Sequence, residues 1–525
     1  MKKGIILLAV VILSVGMNAQ QTYFNPTVRV KEYLEPAIPH PDQDKEMQAK
    51  IAKLGKKANI LIILVDDMGY GDIGVYGGGY AIGAPTPNMD KLAHEGLQLT
   101  STYAQPTCTP SRAALMTGRI PARSGLTRPT LTGENPKVNP WASENTTAKI
   151  LSQNGYKTAI SGKWHLGESK GSLPNEVGYD EWLGFGSVQS EYAQFVNEWI
   201  YPDLINKPDR LAAMKKLVDQ NILRGKKGEE NKVVQPISTI EELSKVDQVF
   251  ADYSVDFIKR SVKENKPFYL IHSFSKVHND NYVSEGYKGK SPAAFPYKDA
   301  VVEVDDIVGR LMTLLKDLKI EENTFVFLTS DNGPNEDVWP DGGYTPFRGG
   351  KGTTWEGGVR VPGIANWKGM IKPGRISDGL FDLCDLFNTS LSLAGAVDKI
   401  PSSNYIDGVD QASFLLSDNG KSNRNAVFMY SETKFMAVRW QEYKLHMNVF
   451  NTSAPRKNLD QSTISSIGMS PWVYNLYVDP KEQLSTGHRY FEWGIPGVMG
   501  LISAHLATYQ KYPMKDIGLK KPGAE

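Results

Sequence analysis

Cys108 stands directly ahead of Thr109-Pro110-Ser111-Arg112, a run that reads as a helix start: Thr109 is a capping residue type, Pro110 fits the first helical position, and Gly118 is a stop. A sulfur group there faces a partly positive helix end, where an anion can dock. Taken alone, a free cysteine is more often a small buried hydrophobe. Four further residues, Asp66, Asp67, Asp331 and Asn332, offer oxygen atoms, the donor set of a hard cation such as Ca2+ or Mg2+ and not the nitrogen and sulfur set of zinc. Arg112, Lys163 and Lys351 carry positive charge for an oxyanion, and His165 and His278 titrate near neutrality, as proton transfer requires. A metal, cations and two imidazoles around a nucleophile suit displacement at a tetrahedral oxyanion.

Strands must bring these residues together. The unbroken apolar run over 59–65 implies a strand buried on both faces, as in a parallel sheet, and it runs into Asp66-Asp67. The runs over 325–330, 267–274 and 156–161 lead in the same way to Asp331-Asn332-Gly333, to His278, and to Lys163 and His165. In open α/β sheets ligands bind beyond the carboxyl ends of the strands, so the four strand ends are candidates for one shared site. Singly, each has an ordinary reading as a cap, a turn or a solvated side chain. His272 lies inside a strand pattern and is the alternative to His278, whereas His94 reads as a helix-surface residue.

The chain has 525 residues, enough for several domains or one large α/β domain with an appendage. Its 59 Lys and Arg balance 58 Asp and Glu, which removes any bulk electrostatic case for nucleic acid or an anionic membrane. Residues 1–20 carry two lysines and a short apolar run, the pattern of a secretory signal peptide, and no later run is apolar enough to span a bilayer. Two cysteines in an exported chain this long do not make a disulfide scaffold, which fits a bacterial periplasmic or secreted protein. Cys384, in an apolar helical pattern over 380–387, reads as core packing, although counting alone leaves a bridge to Cys108 open.

The chain resembles the formylglycine-dependent sulfatases of arylsulfatase type, in the alkaline phosphatase-like superfamily. Residues 108–119, from Cys108-Thr109-Pro110-Ser111-Arg112 to Gly118-Arg119, look like the family signature, 162–167 (Gly162-Lys163-Trp164-His165-Leu166-Gly167) like its second signature, and 350–360 like the segment with a sulfate-binding lysine. The match runs in family order from about 57 to 400, and departs from the family after His278, which is followed by Asn279-Asp280. The resemblance implies an alkaline phosphatase-like α/β/α sandwich with a mixed, mostly parallel sheet, and a metal site of Asp66, Asp67, Asp331, Asn332 and the modified Cys108, with Ca2+ expected and Mg2+ the alternative. It further implies that a maturing enzyme oxidises Cys108 to formylglycine, whose hydrate attacks sulfur near Arg112. Lys163 and Lys351 would stabilise the sulfuryl oxygens, His278 protonate the departing oxygen, and His165 deprotonate the second hydroxyl to expel sulfate.

The expected organisation is a signal peptide over 1–20, a lead-in with a charged helix over 21–56, a catalytic domain over 57–425 and a C-terminal subdomain with an antiparallel sheet over 426–525. The segment 187–249 reads as an insertion with its own helices, in which Glu191, Tyr192, Trp199 and Tyr201 are candidate sugar contacts; Asn135, Asn139 and Trp141 form a second candidate rim. The expected substrate is a sulfated carbohydrate or an aryl sulfate. The alternatives are a phosphate or phosphonate monoester hydrolase on the same scaffold, and a non-catalytic glycan-binding protein.

Overall fold

The computed structural model describes residues 35–188, 206–209, 220–450, 464–467, 470–485 and 491–519. The expected leader and the candidate contacts Glu191, Tyr192, Trp199 and Tyr201 lie outside the described residues.

A central sheet is built from β1 (Asn59–Val65), β2 (Leu97–Tyr103), β3 (Lys157–Lys163), β4 (Glu181–Phe185), β5 (Gln220–Lys226), β6 (Lys232–Ile237), β7 (Phe268–Ser273), β8 (Thr324–Ser330), β9 (Arg360–Asn366), β10 (Arg375–Ser377) and β11 (Phe381–Asp382). Its order is β10-β2-β9-β8-β1-β7-β3-β4-β5-β6, with β11 beside β2. The middle strands β8, β1, β7, β3 and β4 run parallel, while β9 is antiparallel to both β8 and β2. All of β1 is buried, and its side chains divide by the period of two: Ile60, Ile62 and Leu64 enter one core, Leu61, Ile63 and Val65 the other.

The helices α1 (Pro41–Leu54), α2 (Pro87–His94), α3 (Cys108–Thr117), α4 (Thr147–Gln153), α5 (Val246–Lys263), α6 (Pro296–Asp317) and α7 (Asp385–Leu393) cover both faces. On one face α3, α4 and α7 contribute Ala113, Leu115, Ile150, Leu151, Phe387 and Leu391; on the other α2, α5 and α6 contribute Leu92, Phe250, Phe257, Val304 and Leu311. Helix α6 buries Val301, Val304, Val308 and Leu311, the spacing that turns one helical stripe to a sheet. The charged lead-in helix ends at Leu54, with Gly55 in the left-handed region at φ 66°.

Beyond this sandwich lie β12 (Ala426–Ser431), β13 (Lys434–Trp440), β14 (Tyr443–His446), β15 (Asn448–Phe450), β16 (Ile464–Ser466), β17 (Trp472–Asn475) and the helix α8 (Ile495–Lys511). An antiparallel sheet β12-β13-β14-β17 packs Phe428, Tyr430, Val438 and Trp440 against Val498, Leu501 and Ile502 of α8.

Two local expectations are corrected. Residues 380–387 are not one helix: β11 intervenes, and Cys384 is the cap before α7 because Asp385 Oδ2 and Asp382 Oδ1 take the N–H groups of Asp382 and Cys384. The described part of 187–249 is not mainly helical, since β5 and β6 form an antiparallel pair that extends the sheet beyond β4. Main-chain bonding at an open sheet edge decides this, and Val233 and Val234 stay exposed there, so no apolar alternation marks the second strand.

Candidate active site

β1 delivers Asp66 and Asp67, and β8 delivers Asp331 and Asn332, to the same end of the sheet because the two strands are parallel neighbours in register from Asn59–Thr324 to Val65–Ser330. Asp67 has φ 57°, a left-handed conformation that turns the backbone immediately after the strand. Asn332 Nδ2 donates to Asp67 Oδ1 at 2.7 Å, and the Asp67 N–H donates to Asp331 Oδ1 at 3.2 Å. Asp66, Asp67, Asp331 and Cys108 each place a ligand atom within 4.8 Å of the others. Asn332 Oδ1 is buried without a hydrogen-bond partner among the described residues. Three carboxylates and an orphaned amide oxygen in one buried spot fit a hard divalent cation, which would repay the burial of like charges.

Cys108 is the first residue of α3, two positions earlier than the sequence suggests, so Thr107 and not Thr109 occupies the cap position. Thr109 Oγ1 instead donates to the His165 carbonyl at 2.7 Å, tying α3 to the β3 loop. The turn ahead of the helix is closed by Ser111, whose hydroxyl accepts the Gln105 N–H at 2.9 Å. Cys108 Sγ lies 3.5 Å from Asp66 Oδ1 and 3.6 Å from Asp67 Oδ1. Burial, and then Asp331, push the thiol well above its ordinary pKa, so as a thiol it stays protonated. Both cysteines are free and buried, which closes the question of a bridge.

Three cations surround the carboxylates. Lys163, the last residue of β3, donates to Asp66 Oδ2 at 2.5 Å with both groups fully buried. Lys351 donates to Asp67 Oδ2 at 2.7 Å and to His278 Nε2 at 3.0 Å. Arg112 donates through Nε to Asp331 Oδ2 at 2.9 Å and through Nη1 to Ser273 Oγ at 2.7 Å and the Lys163 carbonyl at 2.9 Å. Burial raises the Asp66 carboxyl, but Lys163, His278 and Arg112 together hold it below its usual value. Asp67 is likewise held low against burial, chiefly by Lys351, whereas burial and neighbouring Asp66 push Asp331 up.

The two imidazoles differ in their contacts. His165, also left-handed at φ 56°, donates from Nε2 to the Thr130 carbonyl at 3.1 Å, and its Nδ1 is buried without a partner among the described residues. A carbonyl can only accept, so Nε2 carries the hydrogen and Nδ1 keeps a free lone pair. Burial, then Lys163 and Arg112, push His165 well below the usual histidine range. His278 donates from Nδ1 to the Asn279 carbonyl at 2.5 Å, and burial with Lys351 lowers it to about 4. His272 is not part of the cluster: it is buried in β7, hydrogen-bonded with Ser254 Oγ at 2.9 Å and edge-on to Phe274. His94 is exposed at the end of α2.

The ten residues expected to form the site thus converge on one buried cluster, Lys351 being the most exposed of them. Of the second candidate rim, Trp141 is buried, donates to the Leu166 carbonyl at 3.1 Å and packs on Trp164, while it and Asn139 together line a cavity away from this cluster. Sequence reasoning missed Ser273, which orients Arg112 and donates to the Lys163 carbonyl at 2.7 Å, and Thr130, which fixes the His165 tautomer. The signal for Ser273 was its place at the end of β7; Thr130 acts through its main chain and left none.

Residues 58–396 match the family model described as Sulfatase. N-acetylgalactosamine-6-sulfatase of Canis lupus familiaris is 38% identical over 408 residues, covering 75% of this chain and 72% of that protein. Arylsulfatase A of Homo sapiens is 33% identical over 442 residues, covering 82% and 83%. The crystal structure of PsFucS1 sulfatase from Pseudoalteromonas sp. superposes with a TM-score of 0.88 at 56% sequence identity, over 94% of this chain and 99% of that one. With the family model, the relatives and the fold in agreement, the chain belongs to the sulfatase family and is a sulfuric ester hydrolase.

Proposed function

We propose that this sulfatase is exported and removes sulfate from carbohydrates through a formylglycine hydrate made from Cys108 by a maturing enzyme. The observation that carries the mechanism is the position of Cys108 at the head of α3, within 3.6 Å of two carboxylates yet protonated as a thiol. A thiol held protonated there is a poor nucleophile, which favours a nucleophile made from it by modification. The carbohydrate reading draws support from N-acetylgalactosamine-6-sulfatase, the relative quoted above.

Asp66, Asp67, Asp331 and Asn332 would hold the cation, Ca2+ in this reading with Mg2+ the alternative. When bound, it supplies positive charge for the oxygens of the transferring sulfuryl group. Arg112, Lys163 and Lys351 surround the same point and counter the sulfate's charge without reorganising during the reaction. One hydroxyl of the hydrate gives its proton to a neighbouring carboxylate, Asp66 or Asp67, and attacks sulfur as the bond from sulfur to the ester oxygen breaks; His278, which takes up a proton at Nε2 when the sulfate binds, gives it to that oxygen. Sulfate charge beside His278 opposes the burial and the Lys351 field that hold it neutral in the free enzyme. His165 then accepts the proton of the second hydroxyl at its free Nδ1, the carbonyl re-forms, and sulfate leaves as the carbon–oxygen bond breaks. The catalytic unit is taken as 57–425 and the C-terminal subdomain as 426–525, with residues 1–20 directing export to the periplasm or medium.

The test is twofold. Mass analysis of the Cys108 peptide from native-host protein shows an aldehyde. The matured protein then releases sulfate from a panel of sulfated sugars, and turns over phenyl sulfate faster than phenyl phosphate. An unmodified thiol in active protein overturns the mechanism; faster phosphate turnover favours a phosphate monoester hydrolase.

A further inference from the structure

His278 owes its place to a turn, 274–278, that carries it from the end of β7 to the carboxylates. This turn is braced from behind by a buried charge cluster. Asp247, on the first turn of α5, accepts the N–H of Ser275 at 2.8 Å through Oδ1 and the N–H of Lys276 at 3.3 Å through Oδ2. The Lys276 ammonium turns back into the core, donates to the Ser244 carbonyl at 2.8 Å, and lies 3.0 Å from Glu303 and 3.6 Å from Asp247. Glu303, on α6, also accepts from Ser284 Oγ at 2.6 Å and Gln248 Nε2 at 3.0 Å. Asp247, Lys276 and Glu303 are all inaccessible to solvent.

The front of the turn faces the site. The Lys276 carbonyl accepts the Asp66 N–H at 3.3 Å, and the Val277 N–H donates to the Asp66 carbonyl at 2.9 Å. One peptide segment therefore joins the carboxylate-bearing end of β1 to the cluster, and the next side chain along it is His278. Three buried charges are a poor way to gain stability, since apolar packing of the same volume does as well or better. What they supply is direction: a carboxylate fixes two successive N–H groups, and an ammonium fixes the carboxylate.

We propose that Asp247 is a positioning residue for catalysis, holding the 275–277 backbone, through the Lys276–Glu303 cluster, so that the His278 imidazole meets the departing ester oxygen. This rests on the reading of His278 as the proton donor. Asn at position 247 offers one acceptor oxygen where two N–H groups need one each, so the turn loses one of its two supports.

The test compares phenyl sulfate, whose departing oxygen needs a proton, with 4-nitrophenyl sulfate, whose departing oxygen needs it far less. Single-turnover and steady-state rates are measured for the matured protein, Asp247→Asn, His278→Gln and the double variant. Glu303→Gln serves as an independent removal of charge from the cluster if Asp247→Asn melts too low to assay. The expected result is that Asp247→Asn lowers kcat on phenyl sulfate about tenfold more than on 4-nitrophenyl sulfate, with little change in KM. The double variant is then no slower than His278→Gln alone, since both act through one group. Equal losses on both substrates, or losses that multiply with those of His278→Gln, overturn the proposal and leave a structural role. A His278→Gln variant without leaving-group bias overturns the proton-donor reading itself, and the assignment of Asp247 with it.

Discussion

Asn332 Nδ2 and Lys351 Nζ hold the two oxygens of Asp67 separately, each at 2.7 Å, so this carboxylate is oriented before any ligand arrives. That orientation leaves an amide oxygen, Asn332 Oδ1, buried with no partner among the described residues. Asn332 and the neighbouring carboxylates would hold a cation, whose charge would remove the mismatch.

Metal removal is therefore expected to destabilise the fold. At a cation concentration a hundredfold above Kd, binding contributes about 2.7 kcal/mol, and chelation should lower the melting temperature accordingly. Asn332→Ala should lower both the metal content and the size of that chelator effect. Calorimetry with and without chelator, alongside metal analysis, reads both; a chelator-insensitive wild-type protein argues against the site.

Lys163 and Asp66 form a buried pair, and removing one partner strands the other's charge. Lys163→Met should cost about 3–5 kcal/mol of stability in addition to activity. Lys351→Ala, at a less covered position, should fold and lose about 10²–10³ in kcat. Denaturant unfolding and steady-state rates separate the two, and equal stability losses for both variants would contradict the burial difference.

Cys108→Ser should fold as the parent does, because Cys108 contributes a small side chain with long sulfur contacts only. Without a second hydroxyl on the same carbon it has no route to expel sulfate, so incubation with substrate should leave a covalently sulfated serine. Intact mass spectrometry after quenching detects the adduct. Sustained turnover by this variant rejects the diol mechanism.

His505, on α8, stacks on Phe428 with ring centres 3.9 Å apart and meets Tyr430 Oη at 2.7 Å. Burial lowers it to about 4, against 6.5 for an ordinary histidine. The unfolded chain therefore takes up the proton first as pH falls, so the stability linked to neutral His505 is complete above about pH 6.5 and is lost toward pH 4. At ~1.4 kcal/mol per pKa unit this amounts to about 3 kcal/mol. The unfolding free energy of the wild-type chain minus that of His505→Gln, measured between pH 4 and 7.5, should fall with acid by that order; a flat difference rejects the account.

How much was legible in the sequence follows from how far each signal reaches. The apolar run of β1 announced a doubly buried strand and the acidic pair at its end because strand burial and chain order are local properties, and the same holds for β8 with Asp331 and Asn332. The residue types named the chemistry: oxygen donors, three cations, two imidazoles and a sulfur at a helix start. The helix register at Cys108 was misjudged by the cap, since Thr109 is engaged by the distant His165 carbonyl. The β5–β6 pair escaped because its second strand gains its bonds from a sheet edge and shows no apolar alternation.

The tertiary structure alone decided which groups touch. Parallel pairing of β1 with β8 and β7, and of β7 with β3, set Asp66, Asp331, Lys163 and the His278 turn side by side although up to 265 positions separate Asp67 from Asn332. Burial then fixed the protonation states, raising the Cys108 thiol and lowering both histidines, since the energy of a charge depends on the solvent and neighbours it has lost. The free nitrogen of His165 was decided by the Thr130 carbonyl, and the aim of His278 by a cluster behind it. Composition and spacing carry no record of such contacts, because they arise between segments that only the folded chain brings within hydrogen-bond reach.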